Sequence, residues 1–358
     1  MPEFDSLFME SFESYQNEGS LEGDWFNGDS GQLGFGTSQF DGQRSLNMRG
    51  ANTDTDRFVR REFGVAGDYV IFGARCYFAN FAPTSGFGQH RGWITLRDGA
   101  GVRVHIKIET GGIARVRFGS VSGTDVLVVN DFAFLDGEHF YEVEIYRHAS
   151  NGFVGLYRDG GLIGSFSGDT SGISSSMDRI DVRNPGTSVF GPDRVHMRDV
   201  YVATVSSWST IGGNVLGPGV CRDLVPGADV STDFTRSTGS DSFALLGKPN
   251  DGDTSYTESD TVGHEDLFSP NVSDLPEGTI LAVGVYVAAR QSEAGPMDFG
   301  GVMESGAERI APPGVSLEGA NYRGRLLVPM RVTDPDDDGA WNPTRVGNLS
   351  FGYRNVAV

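Results

Sequence analysis

Apolar and charged side chains alternate along much of the first half of the chain. Residues 138–147 read EHFYEVEIYR, and residues 102–109 read VRVHIKIE. This period of two is typical of a β-strand with one buried face. The alternation predicts a two-sheet antiparallel sandwich. Its expected core positions are Val104, Ile106, Val143, Ile145, Leu156, Ile180 and Val200.

Turn residues separate these strands. Asn151-Gly152 and Asp159-Gly160-Gly161 tolerate positive φ, so residues 138–166 are predicted to form a meander of hairpins. After residue 109 the charged side chains must face Arg115 and Arg117 of the returning strand, because directly paired residues share a face. Paired residue numbers must then have an even sum. This requirement predicts a loop of three or five residues with a glycine in the left-handed conformation.

The order of the closing strands resembles a known fold family. The segments YEVEI (141–145), LYRDG (156–160), IDVR (180–183) and MRDVYV (197–202) are similar to the last strands of the concanavalin-like, or laminin-G-like, jelly roll. The resemblance covers about residues 1–205 and concerns fold far more than activity. It implies an all-β chain with an N-terminal antiparallel jelly-roll sandwich. Residues 206–219, rich in Ser and Gly, are predicted to be a linker to a smaller β-sandwich-like domain at 220–358.

The second half resembles a module of tailed-bacteriophage virion proteins. The similarity lies in the segments 251–256, 263–268, 280–290 and 334–341. It implies a non-enzymatic tail, neck or head fibre, a spike or a decoration protein, carried in the virion and assembled in the bacterial host cytoplasm. The jelly roll would adhere to a host-surface glycan, and the C-terminal module would dock on other virion proteins or on its own copies. A decoration protein without a ligand and a glycan-degrading jelly-roll hydrolase are the alternatives.

Composition narrows these classes. The 51 glycines and 24 phenylalanines favour short strands joined by tight turns. A formal charge of −20 argues against nucleic-acid binding, which needs a basic surface. No apolar run approaches the roughly 18 residues of a membrane span, and the N-terminus lacks a basic leader, so no membrane insertion is expected. The two cysteines, Cys76 and Cys221, fall in different predicted domains, which makes a disulfide framework improbable.

Glu142 and Glu144 are the candidate catalytic pair. They occupy one face of one strand, and retaining glycosidases place two carboxyl groups roughly 5 Å apart across a sugar. A third acid, usual in jelly-roll glucanases, is replaced here by Tyr146. A solvated face, or pairing with Arg103, Arg115 and Arg117, is the alternative, and the chain is predicted not to be an enzyme.

Asp334, Asp336 and Asp338 with Gly339 match the opening of a calcium loop. The twelfth position is Arg345 instead of a bidentate glutamate, which excludes an EF-hand. A calcium site of another kind and an acidic surface turn both stay open. The histidines form no metal-binding motif, and no other cofactor is expected.

Two further groups of residues are candidates for binding. Aromatic rings in loops can stack on sugars, although packing beneath loops is the alternative. The candidate glycan-binding residues are Trp25, Trp93, Arg103, His105, Arg115 and Arg117. Residues 280–289 are apolar on both faces, which requires cover on both sides. This predicts self-association as a homotrimer, or docking, with Leu281, Val283, Val285 and Val287 at or just beneath the surface.

Overall fold

The chain contains two compact units, each described by itself below. One contains Met1–Phe12 and Trp25–Cys221, and the other contains Arg222–Val358. A computed structural model describes residues 6–12, 26–27, 33–37, 44–49, 58–79, 93–99, 101–109, 112–119, 124–132, 137–170, 177–183, 194–205, 212–247, 253–275, 277–292, 297–317 and 322–357. Over these ranges, no helix has the length and apolar character needed to cross a membrane.

The first unit is an antiparallel sandwich of two sheets, as predicted. Its strands are β1 (Ser6–Glu10), β2 (Phe26–Asn27), β3 (Leu33–Thr37), β4 (Arg44–Arg49), β5 (Phe58–Gly67), β6 (Tyr69–Ala79), β7 (Ile94–Asp98), β8 (Gly101–Glu109), β9 (Ile113–Phe118), β10 (Asp125–Val129), β11 (Glu138–Tyr146), β12 (Gly152–Arg158), β13 (Gly161–Gly168), β14 (Met177–Arg183) and β15 (Arg194–Thr204). The eight-stranded sheet has the order β13-β12-β11-β6-β15-β4-β3, with β1 also pairing with β15. The seven-stranded sheet has the order β10-β9-β8-β7-β14-β5-β2.

The hairpin between β8 and β9 confirms the register argument. Glu109 pairs with Ile113, so the connecting loop is residues 110–112. Gly112 has φ of 72°, the left-handed conformation that such a loop requires. His105 consequently faces Arg117, and polar side chains share the outer face of this sheet.

Replacing Gly112 with alanine is expected to lower the free energy of unfolding of the first unit by about 1–2 kcal/mol. An L-residue in the left-handed region brings its Cβ too close to the following carbonyl oxygen. Urea unfolding of the two proteins measures the difference. Gly161→Ala, at a glycine of the next hairpin region with negative φ, is the matched control, and an equal loss there would remove the conformational explanation.

The core lies between the two sheets and contains every predicted position. All seven of the expected core residues, Val104, Ile106, Val143, Ile145, Leu156, Ile180 and Val200, are at most 1% exposed. Cys76 is also fully buried, and neither it nor Cys221 forms a disulfide. The period of two therefore identified the buried faces correctly.

Residues 212–221 differ from the prediction. The sequence assigns residues 206–219 to a linker, of which 206–211 lie outside the described residues. The described part is instead packed on the first unit, where its backbone donates hydrogen bonds to Glu142 and Glu144. We call residues 212–221 the strap. The physical reason is that its amide groups meet buried carboxylates, which bind them more strongly than water does in this setting.

The second unit is also built from antiparallel strands. They are β16 (Pro226–Thr232), β17 (Thr235–Arg236), β18 (Thr257–Glu258), β19 (Glu265–Pro270), β20 (Val283–Ala289), β21 (Met297–Ser305), β22 (Glu308–Ile310), β23 (Arg323–Arg331) and β24 (Ser350–Ala357), with one short helix, α1 (Pro343–Gly347), in the described ranges. A five-stranded sheet has the order β16-β19-β24-β21-β22, and β17-β18 and β20-β23 form separate pairs. Residues 220–225 are irregular, and Phe243–Leu245 form a 3-10 helix.

The predicted docking strand is shorter than expected and serves the core of its own unit. Val285 is 3% exposed and belongs to a cluster with Met303, Val328 and Trp341. Val283 and Val287 pack against this core, and Leu281 is half-buried just before β20 begins. The apolar side chains on both faces of this strand are therefore largely buried by residues of the same unit. Their hydrophobicity does not by itself require another protein chain.

Candidate functional site

Glu142 and Glu144 lie on the outer face of the eight-stranded sheet, near the middle of β11. Both carboxylates are fully buried, which the alternation alone did not predict. Gly73 and Gly155 lie on the two strands that flank β11 and pair with Glu142 and Glu144. Because glycine has no side chain, both positions leave space beside the carboxylates. A Cβ at Gly73 would lie 2.1 Å from the ring of Tyr201, so this close approach requires glycine.

Four hydrogen-bond donors converge on Glu144. Its Oε1 accepts from the hydroxyl of Tyr69 and from Nδ2 of Asn214 at 3.1 Å. Its Oε2 accepts from the hydroxyl of Tyr157 at 2.6 Å and from the backbone N–H of Gly213 at 2.9 Å. Both oxygens of Glu144 therefore act as hydrogen-bond acceptors.

Glu142 has a different environment. Its Oε1 accepts from the hydroxyl of Tyr201 at 2.6 Å and from the N–H of Gly217 at 2.8 Å. Its Oε2 is buried and has no hydrogen-bond partner among the described residues. Burial raises the pKa of Glu142, the charge of Glu144 adds to this effect, and the donated hydrogen bonds oppose it. The two neighbouring carboxyl groups thus differ in their hydrogen bonds, four donated to Glu144 and two to a single oxygen of Glu142.

The tyrosines act as neutral donors. Burial, and then the hydrogen bond to Glu144, raise the pKa values of Tyr69 and Tyr157. Burial, and then the charge of Glu142, raise the pKa of Tyr201. All three phenols therefore stay protonated at neutral pH and can orient the carboxylates without losing their protons to them.

The strap covers both carboxylates. Gly213 and Asn214 contact Glu144, and Gly217 contacts Glu142. No residue of the strap is itself buried, whereas the two carboxylates beneath it are. The strap therefore separates the pair from water while remaining at the surface.

A charged cluster holds the far end of the strap. Arg198 forms a two-pronged ion pair with Glu138 at 2.8 and 3.0 Å, and both groups are buried. Asp199, in the left-handed conformation at φ of 50°, pairs with Arg75 at 3.2 Å. Its other oxygen accepts the N–H of Cys221 at 2.9 Å. The irregularity of β15 at this point thus turns a carboxylate toward the strap.

The predicted arginine partners of Glu142 and Glu144 are on the other sheet, so that expectation is wrong. Arg103 pairs with Asp98, and Arg115 and Arg117 both pair with Asp125, at 2.7 and 2.6 Å. His105 is buried, and its Nδ1 lies 3.2 Å from Oγ1 of Thr95. These four glycan-binding candidates therefore form cross-strand pairs on the seven-stranded sheet and are not brought together with the carboxylate pair.

Of the two tryptophan candidates, the structure describes Trp93, which does not offer a stacking platform. Trp93 is 0% exposed, and its ring packs edge-on against Phe72, Phe78 and Tyr141. It is a core residue, because a ring enclosed by other rings offers no face to a sugar. Trp25 lies outside the described residues.

The acidic loop at residues 334–338 of the second unit forms ion pairs with Arg345. Arg345 pairs with Asp337 at 2.5 Å and with Asp334 at 3.8 Å. Asp336 accepts the N–H of Ala307 at 3.2 Å, and Asp338 has a φ of 56° within the turn. In the described part of the chain, no group of three or more His, Cys, Asp or Glu side chains is arranged to hold a metal ion. Of the three predicted calcium ligands, Asp334 thus lies within ion-pair distance of the Arg345 guanidinium.

The residues that the sequence analysis missed are the tyrosines and the strap. Tyr157 is directly paired with Glu142 in the register of β11 and β12, so the hairpin assignment could have placed a phenol beside the carboxylates. Gly213 and Gly217 contribute only backbone groups, which no side-chain motif reveals. The site as a whole combines two carboxylates, three neutral hydroxyl donors and the strap that covers them.

We expect the stability of Glu142→Gln relative to the natural protein to increase with pH. A group whose pKa is raised by folding stabilises the fold at low pH and loses that contribution as pH rises through the folded-state pKa. Glutamine removes this dependence because it does not ionise. Urea unfolding of both proteins at about pH 4 and about pH 8 measures the change. A difference in unfolding free energy that is independent of pH would contradict the assigned pKa direction.

Comparison with known proteins shows likeness at the level of fold. No protein-family model matches the sequence, and no curated protein matches it. Among solved structures, the cellulose-induced protein Cip1 is 12% identical, with 55% of this chain and 97% of that chain covered and a TM-score of 0.41. An endo-β-1,4-glucuronan lyase from the fungus Trichoderma reesei is 13% identical over 57% and 96% of the two chains, with a TM-score of 0.37. An alginate lyase, Aly36B, solved with an alginate trisaccharide, is 10% identical over 57% and 100%, also with a TM-score of 0.37.

These comparisons correct one prediction. The prediction that the chain is not an enzyme is contradicted, because solved structures of similar fold include the two lyases. They give no indication of a bacteriophage origin. The chain is an all-β protein whose first unit is an antiparallel jelly-roll sandwich of two sheets.

Proposed function

We propose that the first unit hydrolyses a glycan, with Glu142 as the proton donor and Glu144 as the ionised partner. The observation that carries this proposal is the contrast between the two carboxyl groups. Burial raises the pKa of Glu142, whereas four donors converge on Glu144. Paired carboxyl groups whose environments differ in this way commonly divide the roles of acid and base.

The spacing of the pair suits a retaining mechanism. Alternate residues of a strand are about 6.7 Å apart at Cα, from which side chains can reach the roughly 5 Å separation of a retaining pair. Glu142 would give its proton to the glycosidic oxygen as that bond breaks, while the carboxylate of Glu144 forms a bond to the anomeric carbon. A water molecule, deprotonated by Glu142, would then displace Glu144 and restore both groups.

The tyrosines support this division of roles. Tyr69 and Tyr157 hold the two oxygens of Glu144 in position, and their raised pKa values keep their protons in place. Tyr201 holds one oxygen of Glu142, which leaves the other as the candidate position for the transferred proton. This arrangement positions a donor and a nucleophile on one strand face.

The charge of the chain favours a neutral substrate. A net charge of −20 together with an ionised Glu144 disfavours the approach of a polyuronate. Neutral polysaccharides have no such repulsion to overcome. We therefore propose a neutral glucan-like polymer as the substrate class.

Product analysis tests the reaction class. The natural protein is incubated with soluble neutral glucans of both anomeric linkages and, separately, with alginate. Hydrolysis releases new reducing ends from a glucan without any unsaturated product. An unsaturated, ultraviolet-absorbing product from alginate would contradict the proposal, because that product arises by elimination and not by addition of water.

The virion setting, the C-terminal docking and the homotrimer are kept as proposals that rest on the sequence resemblance. In that setting a particle-borne hydrolase would act on a host-surface glycan. The half-buried Val283 and Val287 would lie just beneath any contact between copies. Light scattering of the full chain at micromolar concentration tests the trimer, and a stable monomer would remove it.

A further inference from the structure

We infer that the strap is a displaceable inhibitor that occupies the glycan groove of its own unit, an inference that rests on the proposed hydrolysis. The strap passes the two carboxylates of β11 in turn and then crosses to β15. Gly213 lies at Glu144, Gly217 at Glu142, and Cys221 at Asp199 beyond them. A segment of chain thus takes the path that a linear polymer must take to place a sugar between the two carboxyl groups.

The contacts of the strap are of the kind that a sugar can replace. Gly213 and Gly217 donate backbone N–H groups to the carboxylates, and Leu216 donates to the hydroxyl of Tyr201 at 3.1 Å. Sugar hydroxyls are donors of similar reach and can satisfy the same oxygens. Exchange of one set of donors for the other leaves no buried carboxylate oxygen newly unsatisfied.

The strap is also weakly held by apolar contacts. None of its residues is buried, and Pro218 and Val220 are exposed. Elements that make few buried apolar contacts belong to the part of a protein that opens most readily. By contrast, Val143 in the strand beneath is 1% exposed and part of the core.

A strap that is closed most of the time reduces apparent activity. Only the open fraction can bind a glycan, so the apparent affinity falls by that fraction. A substitution that destabilises the closed strap, and leaves the glycan-binding surface beneath it unchanged, should therefore increase kcat/KM. The two glycines provide the means, because both have left-handed φ, 83° at Gly213 and 79° at Gly217, and an added Cβ would meet no atom within 4 Å.

The experiment compares Gly213→Ala and Gly217→Ala with the natural protein. Alanine strains the left-handed conformation only while the strap is closed, and each change is expected to increase the open population by roughly 5- to 30-fold. Gly263→Ala in the second unit is the matched control, with φ of 86° and no atom within 4 Å of the added Cβ. Two quantities are measured: hydrogen exchange of the Gly217, Leu216 and Val143 amides, and the rate of reducing-end release from a soluble neutral glucan.

We expect exchange at Leu216 and kcat/KM to increase together by this factor in both strap variants, with Val143 still protected and the control unchanged. Faster exchange with an unchanged or lower rate, in proteins that do cleave the glucan, would overturn the inhibitory role alone. If the strap amides exchanged as slowly as the Val143 amide in every variant, the strap would be a fixed part of the fold. That result would overturn the inference that it can be displaced. Faster exchange with no cleavage by any of the proteins would refute the proposed hydrolysis, and inhibition with it.

Discussion

Replacing Trp93 with alanine is expected to lower the free energy of unfolding of the first unit by about 3–5 kcal/mol. The indole is fully buried, and the rings of Phe72, Phe78 and Tyr141 surround it at centroid distances of 5.8 to 5.9 Å. Its removal would forfeit apolar burial and several edge-on ring contacts, and would leave a cavity that the sandwich can fill only in part. Denaturant unfolding of the full chain, followed by tyrosine and tryptophan signals of the first unit, measures the loss.

Leu162→Ala supplies the control for Trp93→Ala. Leu162 is a large apolar residue of the same unit but is 53% exposed, so its truncation is expected to change stability by no more than about 0.5 kcal/mol. A loss below about 1 kcal/mol for Trp93→Ala would mean that the indole is not enclosed as described. That result would reopen Trp93 as a ligand-stacking residue.

Glu142→Gln is expected to lower kcat for glucan hydrolysis by about 10²- to 10⁴-fold. Glutamine keeps the shape of the side chain and can still accept from Tyr201 and Gly217, but it cannot deliver a proton. The fold should be retained, because the group replaced is a buried carboxyl with one oxygen unsatisfied within the described residues. Steady-state kinetics with a soluble neutral glucan, alongside urea unfolding, measure both effects.

Glu144→Gln separates the two roles. Both oxygens of Glu144 accept hydrogen bonds. In glutamine one of these oxygens is replaced by an NH2 group, which donates and cannot accept. The groups that donate to that oxygen then lose their acceptor. A loss of about 1–3 kcal/mol in unfolding free energy is therefore expected together with loss of activity. Equal stability losses in the two variants would contradict the different environments, and full activity in Glu142→Gln would exclude it as the proton donor.

Much of the strand arrangement of the first unit is predictable from the alternation of apolar and polar residues along the sequence. The alternation over residues 102–109 identifies which side chains are buried, and the parity of Arg115 and Arg117 then fixes the hairpin loop that the structure contains. Both arguments use only the period of a strand and the sharing of faces by paired residues. The core positions were predictable for the same reason.

The candidate site was predictable only in part. The sequence indicates that Glu142 and Glu144 share a face, but not that the face is covered. The cover is a Ser/Gly-rich stretch separated from β11 by about 70 residues, as the Asn214 to Glu144 contact shows. Its glycines bind through backbone amides, and a composition that satisfies the criteria for a linker can equally form such contacts. The composition of a segment indicates its conformational freedom, but it does not indicate which acceptors its backbone amides bind.

The apolar strand of the second unit illustrates a similar limit. Continuous hydrophobicity around Val285 correctly indicates cover on both sides. It does not indicate whether the cover comes from another chain or from the same unit. Here Trp341 and the short helix α1, through Val346, supply part of it.

The most direct test of the central claim is a crystal structure of Glu142→Gln soaked with an oligosaccharide of the glucan that the natural protein cleaves. We expect sugar rings over Glu142 and Glu144 of β11, with the anomeric carbon of one ring facing Glu144 and the strap withdrawn from Gly213 to Gly217. Sugar bound instead on the seven-stranded sheet, at Arg115 and Arg117, with the strap still seated on both carboxylates, would contradict it.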